Sequence, residues 1–135
     1  MKLGIVVSEM YWKDITSNML DLAIKTAKWN KYETEIVKVP GCFDMPLAIK
    51  KLLKKKDIDG VVTLGAIVQG GTDHDKVIAH AVARAMIELS LEFEKPVVNG
   101  VNGPKMSWEQ AIERIKRAEE VTKACIEMVK TLKNE

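Results

Sequence analysis

The sequence predicts an α/β protein in which a four-stranded parallel sheet is covered by helices on both faces. Three observations carry this: four short apolar runs each followed by a helical pattern, short connections between them, and a third run, "DGVVTLGAIV" at 59–68, with no polar face. Parallel strands buried on both faces read as such continuous runs. Right-handed crossovers then leave few other arrangements for strand-helix repeats. A chain of 135 residues is long enough to bury one core without disulfides or a structural metal. Residues 1–135 are therefore read as one domain, with no linker, low-complexity stretch or internal repeat.

The elements follow in order. "KLGIVVS" (2–8) is β-branched and apolar and reads as a buried strand. Ile15, Met19, Leu22, Ala23 and Thr26 then recur at helical spacing as far as "WNKYE". "TEIVKVPG" (34–41) is the second strand, stopped by Pro40 and Gly41. "FDMPLAIKKLLKKK" reads as a helix, with Asp44 and Pro46 suited to its first turn and lysines to its last. The third strand, 59–68, ends in "QGGTDHD", after which Val77, Ile78, Ala81, Val82, Ala85, Met86 and Leu89 form a broad apolar stripe. "KPVVNGV" (95–101) is the fourth strand. "NGPKMSWEQA" then supplies a turn and a capping box, Ser107 with Gln110, opening one long helix to about Lys133. Its seam of Ala111, Ile115, Ala118, Thr122, Cys125, Val129 and Leu132 suits either the sheet or another subunit.

Composition narrows the function classes. A formal charge of +2 spread in mixed-sign clusters provides no basic stripe for nucleic acid, and "KKLLKKKD" at 50–57 reads as the solvated end of a helix. Cys42 and Cys125 lack the paired spacing of a zinc site or a redox motif, which suggests reduced thiols in a cytoplasmic protein. No run is long enough for a membrane span, and "MKLGIVVSEMYW" does not read as a signal peptide. There is neither a GxGxxG fingerprint nor a metal-ligand cluster, so no cofactor and no metal are expected.

In open parallel sheets ligands bind where strands end and helices begin. Gly70, Gly71 and Thr72 leave backbone N–H groups uncovered ahead of a helix, a cradle for phosphate or carboxylate, although two glycines also make an ordinary tight turn. His74 falls in the first turn of that helix. There the helix dipole favours the neutral ring and a bound phosphate the charged one, so the residue suits proton transfer; a surface histidine is the plainer alternative. Phe43 and Asp44 follow the sharp "VPG" turn at the mouth of the sheet, and Phe43 is equally compatible with a core position. Tyr11 and Trp12 end the first strand, where a planar heterocycle could stack on a ring or an aromatic could simply plug the sheet. Arg114, in "EQAIERIKR", offers a forked guanidinium to an anion or to a surface ion pair. His80 lies on another helix face and reads as a structural or surface residue.

Taken together, these segments resemble the 6,7-dimethyl-8-ribityllumazine synthase family of riboflavin biosynthesis in its short archaeal-type form. "VPGCFDMPLAIKKLL" is similar to that family's VPG-x-[FY]-[ED]-x-P segment, "LGAIVQGGTDHD" to its LG-x-[VI]-[IV]-x-G-x-T-x-H turn, and "GPKMSWEQAIERI" to the stretch bearing its phosphate-binding arginine. The resemblance implies a flavodoxin-like three-layer α/β/α sandwich. It also implies assembly into pentamers, in some members twelve pentamers in an icosahedral 60-mer shell, with sites between subunits.

The implied substrates are 5-amino-6-(D-ribitylamino)uracil and 3,4-dihydroxy-2-butanone 4-phosphate, joined without redox change and hence without nicotinamide, flavin or metal. The implied acid/base is His74, and the implied phosphate turn is Gly71 and Thr72. The pyrimidine would be read at Ala66 and Ile67 and at Cys42, Phe43 and Asp44. The neighbouring subunit would supply Arg114, and the stacking aromatic would be Tyr11 or Trp12. Asn99 stands where the family has an apolar or aromatic residue from the adjacent subunit, and the usual phosphate lysines are displaced, leaving Lys105, Lys116 or Arg117 as substitutes. Two other readings stay open at this point: archaeal riboflavin synthase, which has a similar "VPG…KKLL" segment, and a non-catalytic pyrimidine-binding or shell-forming relative.

Overall fold

A computed structural model describes residues 1–134. Strands form at the four apolar runs: β1 (Lys2–Ser8), β2 (Glu33–Val39), β3 (Gly60–Val68) and β4 (Val97–Met106). All pairings are parallel, in the order β2-β1-β3-β4. Five α-helices flank the sheet: α1 (Ser17–Trp29), α2 (Met45–Leu53), α3 (His74–Phe93), α4 (Trp108–Glu113) and α5 (Arg117–Lys133). The result is the expected flavodoxin-like α/β/α sandwich.

The period of two in the strands divides the core between the two faces. Leu3, Ile5 and Val7 of β1, with Val62, Leu64 and Ala66 of β3, pack in one cluster with Met19 and Ala23 of α1 and Ala118, Cys125 and Ile126 of α5. Val6, Val61 and Ile67 turn the other way, clustering with Ile49 and Leu52 of α2 and Val82 and Met86 of α3. Each fully buried large aliphatic side chain contributes about 1.5–3 kcal/mol from the apolar surface removed from water. β3 is buried along most of its length, its first eight residues being buried.

The chain departs from the sequence-based expectation in four places. The first helical segment opens with a π-type turn, Trp12–Thr16, because Tyr11 adopts a left-handed conformation (φ 62°) and its carbonyl accepts the N–H of both Ile15 and Thr16. The second is preceded by a 3₁₀ turn at Cys42–Asp44 and stops at Leu53, leaving the lysines that follow outside the helix.

β4 continues to Met106 instead of ending at 101, so "NGPKM" is strand rather than turn. A shift of register between Ala66 and Val68 lets Met106 pair with Val68. Pro104 is tolerated because β4 is an edge strand. Gly103 is required there: its φ is +128°, and a Cβ would stand 2.7 Å from the Ile67 carbonyl oxygen.

The last helix is not continuous. Ser107 and Gln110 do form the expected capping box, with Gln110 N–H donating to Ser107 Oγ at 3.2 Å and Ser107 N–H to Gln110 Oε1 at 2.9 Å. A 3₁₀ turn at Arg114–Lys116 then separates α4 from α5. The seam packs on the sheet, with Ala111, Ala118, Thr122, Cys125 and Val129 buried. The α3 stripe, by contrast, is only partly covered: Val82 and Met86 are buried while Val77 and Ala81 are exposed, and outside the stripe Ile87 and Leu91 are exposed as well.

Candidate functional site

The strand order places the topological switch between β1 and β3, the position where open α/β sheets bind ligands. A cleft of about 380 Å³ lies there, within the usual range for a small-molecule site. Met10 and Tyr11 enter it from β1, Gly41, Cys42 and Phe43 from β2, and Ala66, Ile67, Val68, Gly70 and Thr72 from β3. His74, Asp75 and Ile78 of α3 complete its lining.

The two aromatics after β1 are parted by the left-handed turn. Tyr11 faces the cleft, its ring meeting Trp108 edge-to-face at a centroid distance of 5.5 Å and an interplanar angle of 76°. Trp12 packs against the core with the Lys38 ammonium 4.3 Å from its ring centroid, and is not part of the cleft wall.

On the opposite wall Cys42 is buried against β3, where Gly65 permits the approach: a Cβ there would lie 2.6 Å from Cys42 Sγ. Burial pushes the Cys42 thiol up to about 11, so it serves as a neutral wall rather than a nucleophile. Phe43 is not a core residue; it is 66% exposed at the cleft mouth. Asp44 is turned back on its own loop, accepting the Gly41 N–H at 3.1 Å, and does not line the cleft.

His74 is the first residue of α3 and is exposed. Its N–H donates to Thr72 Oγ1 at 3.2 Å, so the threonine hydroxyl acts as acceptor toward the helix start, leaving its own proton for a ligand. Nothing lies within 4 Å of where a Cβ would stand at Gly70 or Gly71. The backbone there is open to approach from outside.

Asp75 is buried, and its Oδ2 accepts the Lys105 N–H at 2.9 Å, tying the end of β4 to the start of α3. Hydrogen bonding, chiefly from the Lys105 amide, holds its carboxyl below the usual range against the opposing effect of burial. The other oxygen, Oδ1, finds no donor among the described residues. Sequence reasoning missed Asp75 and Trp108. A second aspartate at the helix start in "TDHD" and an aromatic directly after the capping Ser107 were the available signals.

Arg114 and Asn99 do not line this cleft. Arg114 is exposed at the α4–α5 break and forms no ion pair among the described residues. Asn99 is exposed on β4, its Oδ1 accepting the Val101 N–H at 3.0 Å. Arg117, a candidate substitute for the displaced lysines, is instead engaged within the chain: Nη1 donates to Asn102 Oδ1, and Nη2 lies 3.5 Å from the Asn99 carbonyl oxygen.

Fold and cleft define a class, the flavodoxin-like α/β proteins with a crevice at the β1/β3 switch point. A solved flavone reductase has the same fold at a TM-score of 0.56 and 18% identity, the match covering 98% of this chain and 64% of that one. Residues 1–133 match the 6,7-dimethyl-8-ribityllumazine synthase family, and the chain belongs to it.

Proteins named 6,7-dimethyl-8-ribityllumazine synthase are similar throughout. That of Picrophilus torridus is 49% identical over 134 residues, covering 98% of both chains. That of Metallosphaera sedula is 57% identical over 115 residues, covering 84% of this chain and 76% of its own. The Methanobrevibacter smithii protein is 48% identical, covering 93% and 91%.

Proposed function

We propose that this chain, acting as a one-domain protomer, condenses 5-amino-6-(D-ribitylamino)uracil with 3,4-dihydroxy-2-butanone 4-phosphate to give 6,7-dimethyl-8-ribityllumazine, phosphate and water. The observation that carries this reading is the convergence of Tyr11, Phe43, Gly70, Thr72 and His74 on one cleft of a chain belonging to this family. The pyrimidine stacks on Tyr11, bounded by Cys42 and Phe43 and by the Ala66–Ile67 backbone. The Gly71–Thr72 turn and Arg114 of a neighbouring subunit hold the phosphate. The amine attacks the ketone to form an imine with loss of one water, phosphate is eliminated, and the second amine closes the ring on the remaining carbonyl with loss of a second water. His74 takes and returns protons, while much of the acceleration comes from holding two reactive partners together.

Family membership implies small-molecule substrates and a homo-oligomer. Within that, our reading is a pentamer or a 60-mer of pentamers in the cytoplasm, supported by the apolar α3 residues left exposed and by an arginine that its own cleft does not use. Mixing purified protein with the two precursors and following lumazine absorbance and fluorescence tests the reaction. Product formed from the pair supports it. Riboflavin formed from lumazine alone, or pyrimidine bound without turnover, overturns it.

A further inference from the structure

At the break between α4 and α5, one side chain joins three elements. Asn102 of β4 is 1% exposed, and both ends of its amide are used. Nδ2 donates to the Arg114 carbonyl at 3.1 Å, and Oδ1 accepts from Nη1 of Arg117. Arg117 in turn reaches the Asn99 carbonyl, so the turn that carries Arg114 is bound back to β4 by two side chains. The Arg114 side chain is exposed, forms no ion pair among the described residues and does not line its own cleft.

A helix interior would need none of this. Here the 3₁₀ turn shifts the ladder so that the Arg114 carbonyl accepts the Arg117 N–H, and a side-chain amide adds a second donor to that carbonyl, which belongs to the residue whose guanidinium is to be presented. We infer that Asn102, braced by Arg117, is a positioning residue that fixes the Arg114 backbone so that its guanidinium meets the phosphate bound by an adjacent copy of the chain. The inference rests on the role of Arg114 proposed above. A packing role alone would be served by an apolar residue. What an amide adds is direction: one donor toward Arg114 and one acceptor toward Arg117.

Steady-state kinetics of assembled wild type, Asn102→Ala and Asn102→Asp, with each substrate varied, test it. Asn102→Asp keeps the shape, holds Arg117 as an ion pair and replaces the donor toward Arg114 with a carboxylate oxygen that repels its carbonyl, so it remains informative if Asn102→Ala does not assemble. Each variant is expected to raise KM for the butanone phosphate about fivefold to tenfold, as for one lost directional hydrogen bond. KM for the pyrimidine, kcat and particle size should stay unchanged. In an Arg114→Ala background Asn102→Asp should add nothing.

Equal rises in both KM values, or a fall in thermal stability without a selective KM effect, would make Asn102 a structural residue and overturn the inference. If Arg114→Ala raises the phosphate-substrate KM and the Asn102 variants do not, the inference alone fails. If Arg114→Ala leaves that KM unchanged, the role of Arg114 fails and the positioning role falls with it.

Discussion

At the scale of single residues, chemistry is divided between groups that a ligand can reach and groups that hold them. His74 is exposed at the start of α3, and its removal leaves the core untouched. His74→Ala is expected to lower kcat by about a hundredfold, the low end for a positioned proton-transfer group because approximation supplies the remainder; particle size by light scattering should not change. Tyr11 and Trp12 are adjacent in sequence and both pack on the core, but only Tyr11 lines the cleft, so substrate KM is the measurement that separates their alanine variants. Tyr11→Ala is expected to raise KM for the pyrimidine about tenfold through loss of the stacking face proposed above, along with a fall in melting temperature from its lost packing on the core and on Trp108. Trp12→Ala should lower the melting temperature without the KM effect, since that ring packs on the core and under Lys38. Sequence alone left this pair open, because the direction of each ring depends on the left-handed turn at Tyr11, which no local pattern marks.

At the scale of elements, two contacts set the walls of the cleft. Gly65 lets the Cys42 turn lie against β3, with Met45 Cε also only 3.2 Å from where a Cβ would be. Gly65→Ala should push that turn outward, weakening pyrimidine binding and lowering the urea midpoint together, as expected of an overpacked contact costing about 1–3 kcal/mol. The second contact is Asp75 with the Lys105 amide, which joins α3 to the end of β4. Because its carboxyl is held below the ordinary value, the ionised form stabilises the fold at pH above the unfolded range near about 4. That contribution is lost as pH falls through the lower folded value. The stability difference between wild type and Asp75→Asn, followed by thermal melts from pH 7 downward, should therefore shrink below pH about 4; a constant difference would discount this coupling. Neither contact was legible beforehand. The Asp75 contact depends on the register shift that carries β4 past Gly103, and the Gly65 contact on how the Cys42 turn packs against β3, whereas the element types were readable from periods of two and of three to four.

At the scale of the whole molecule, the cleft is built by one chain and Arg114 does not line it, so the function proposed above has a second copy supply that arginine. Mixed assemblies of His74→Ala and Arg114→Ala subunits test this: each alone should be impaired, whereas random co-assembly restores about one site in four with both groups intact. Absence of any recovery on mixing would mean that the arginine and histidine serve within the same chain. Much of the architecture was determined by sequence alone. Apolar runs with strand period, helical stripes and short crossovers dictate a layered parallel sheet, and the VPG, GGTDH and Ser107 segments mark where ligands and helix starts belong, because these properties depend on neighbours a few residues apart. Only the tertiary structure decided that the final helix breaks at Arg114, that Asp75 lines the cleft and Trp108 packs against Tyr11, and that Asn102 meets the carbonyl of a residue twelve positions away. Those contacts are fixed by packing between distant segments, and such packing leaves no periodic trace in the chain.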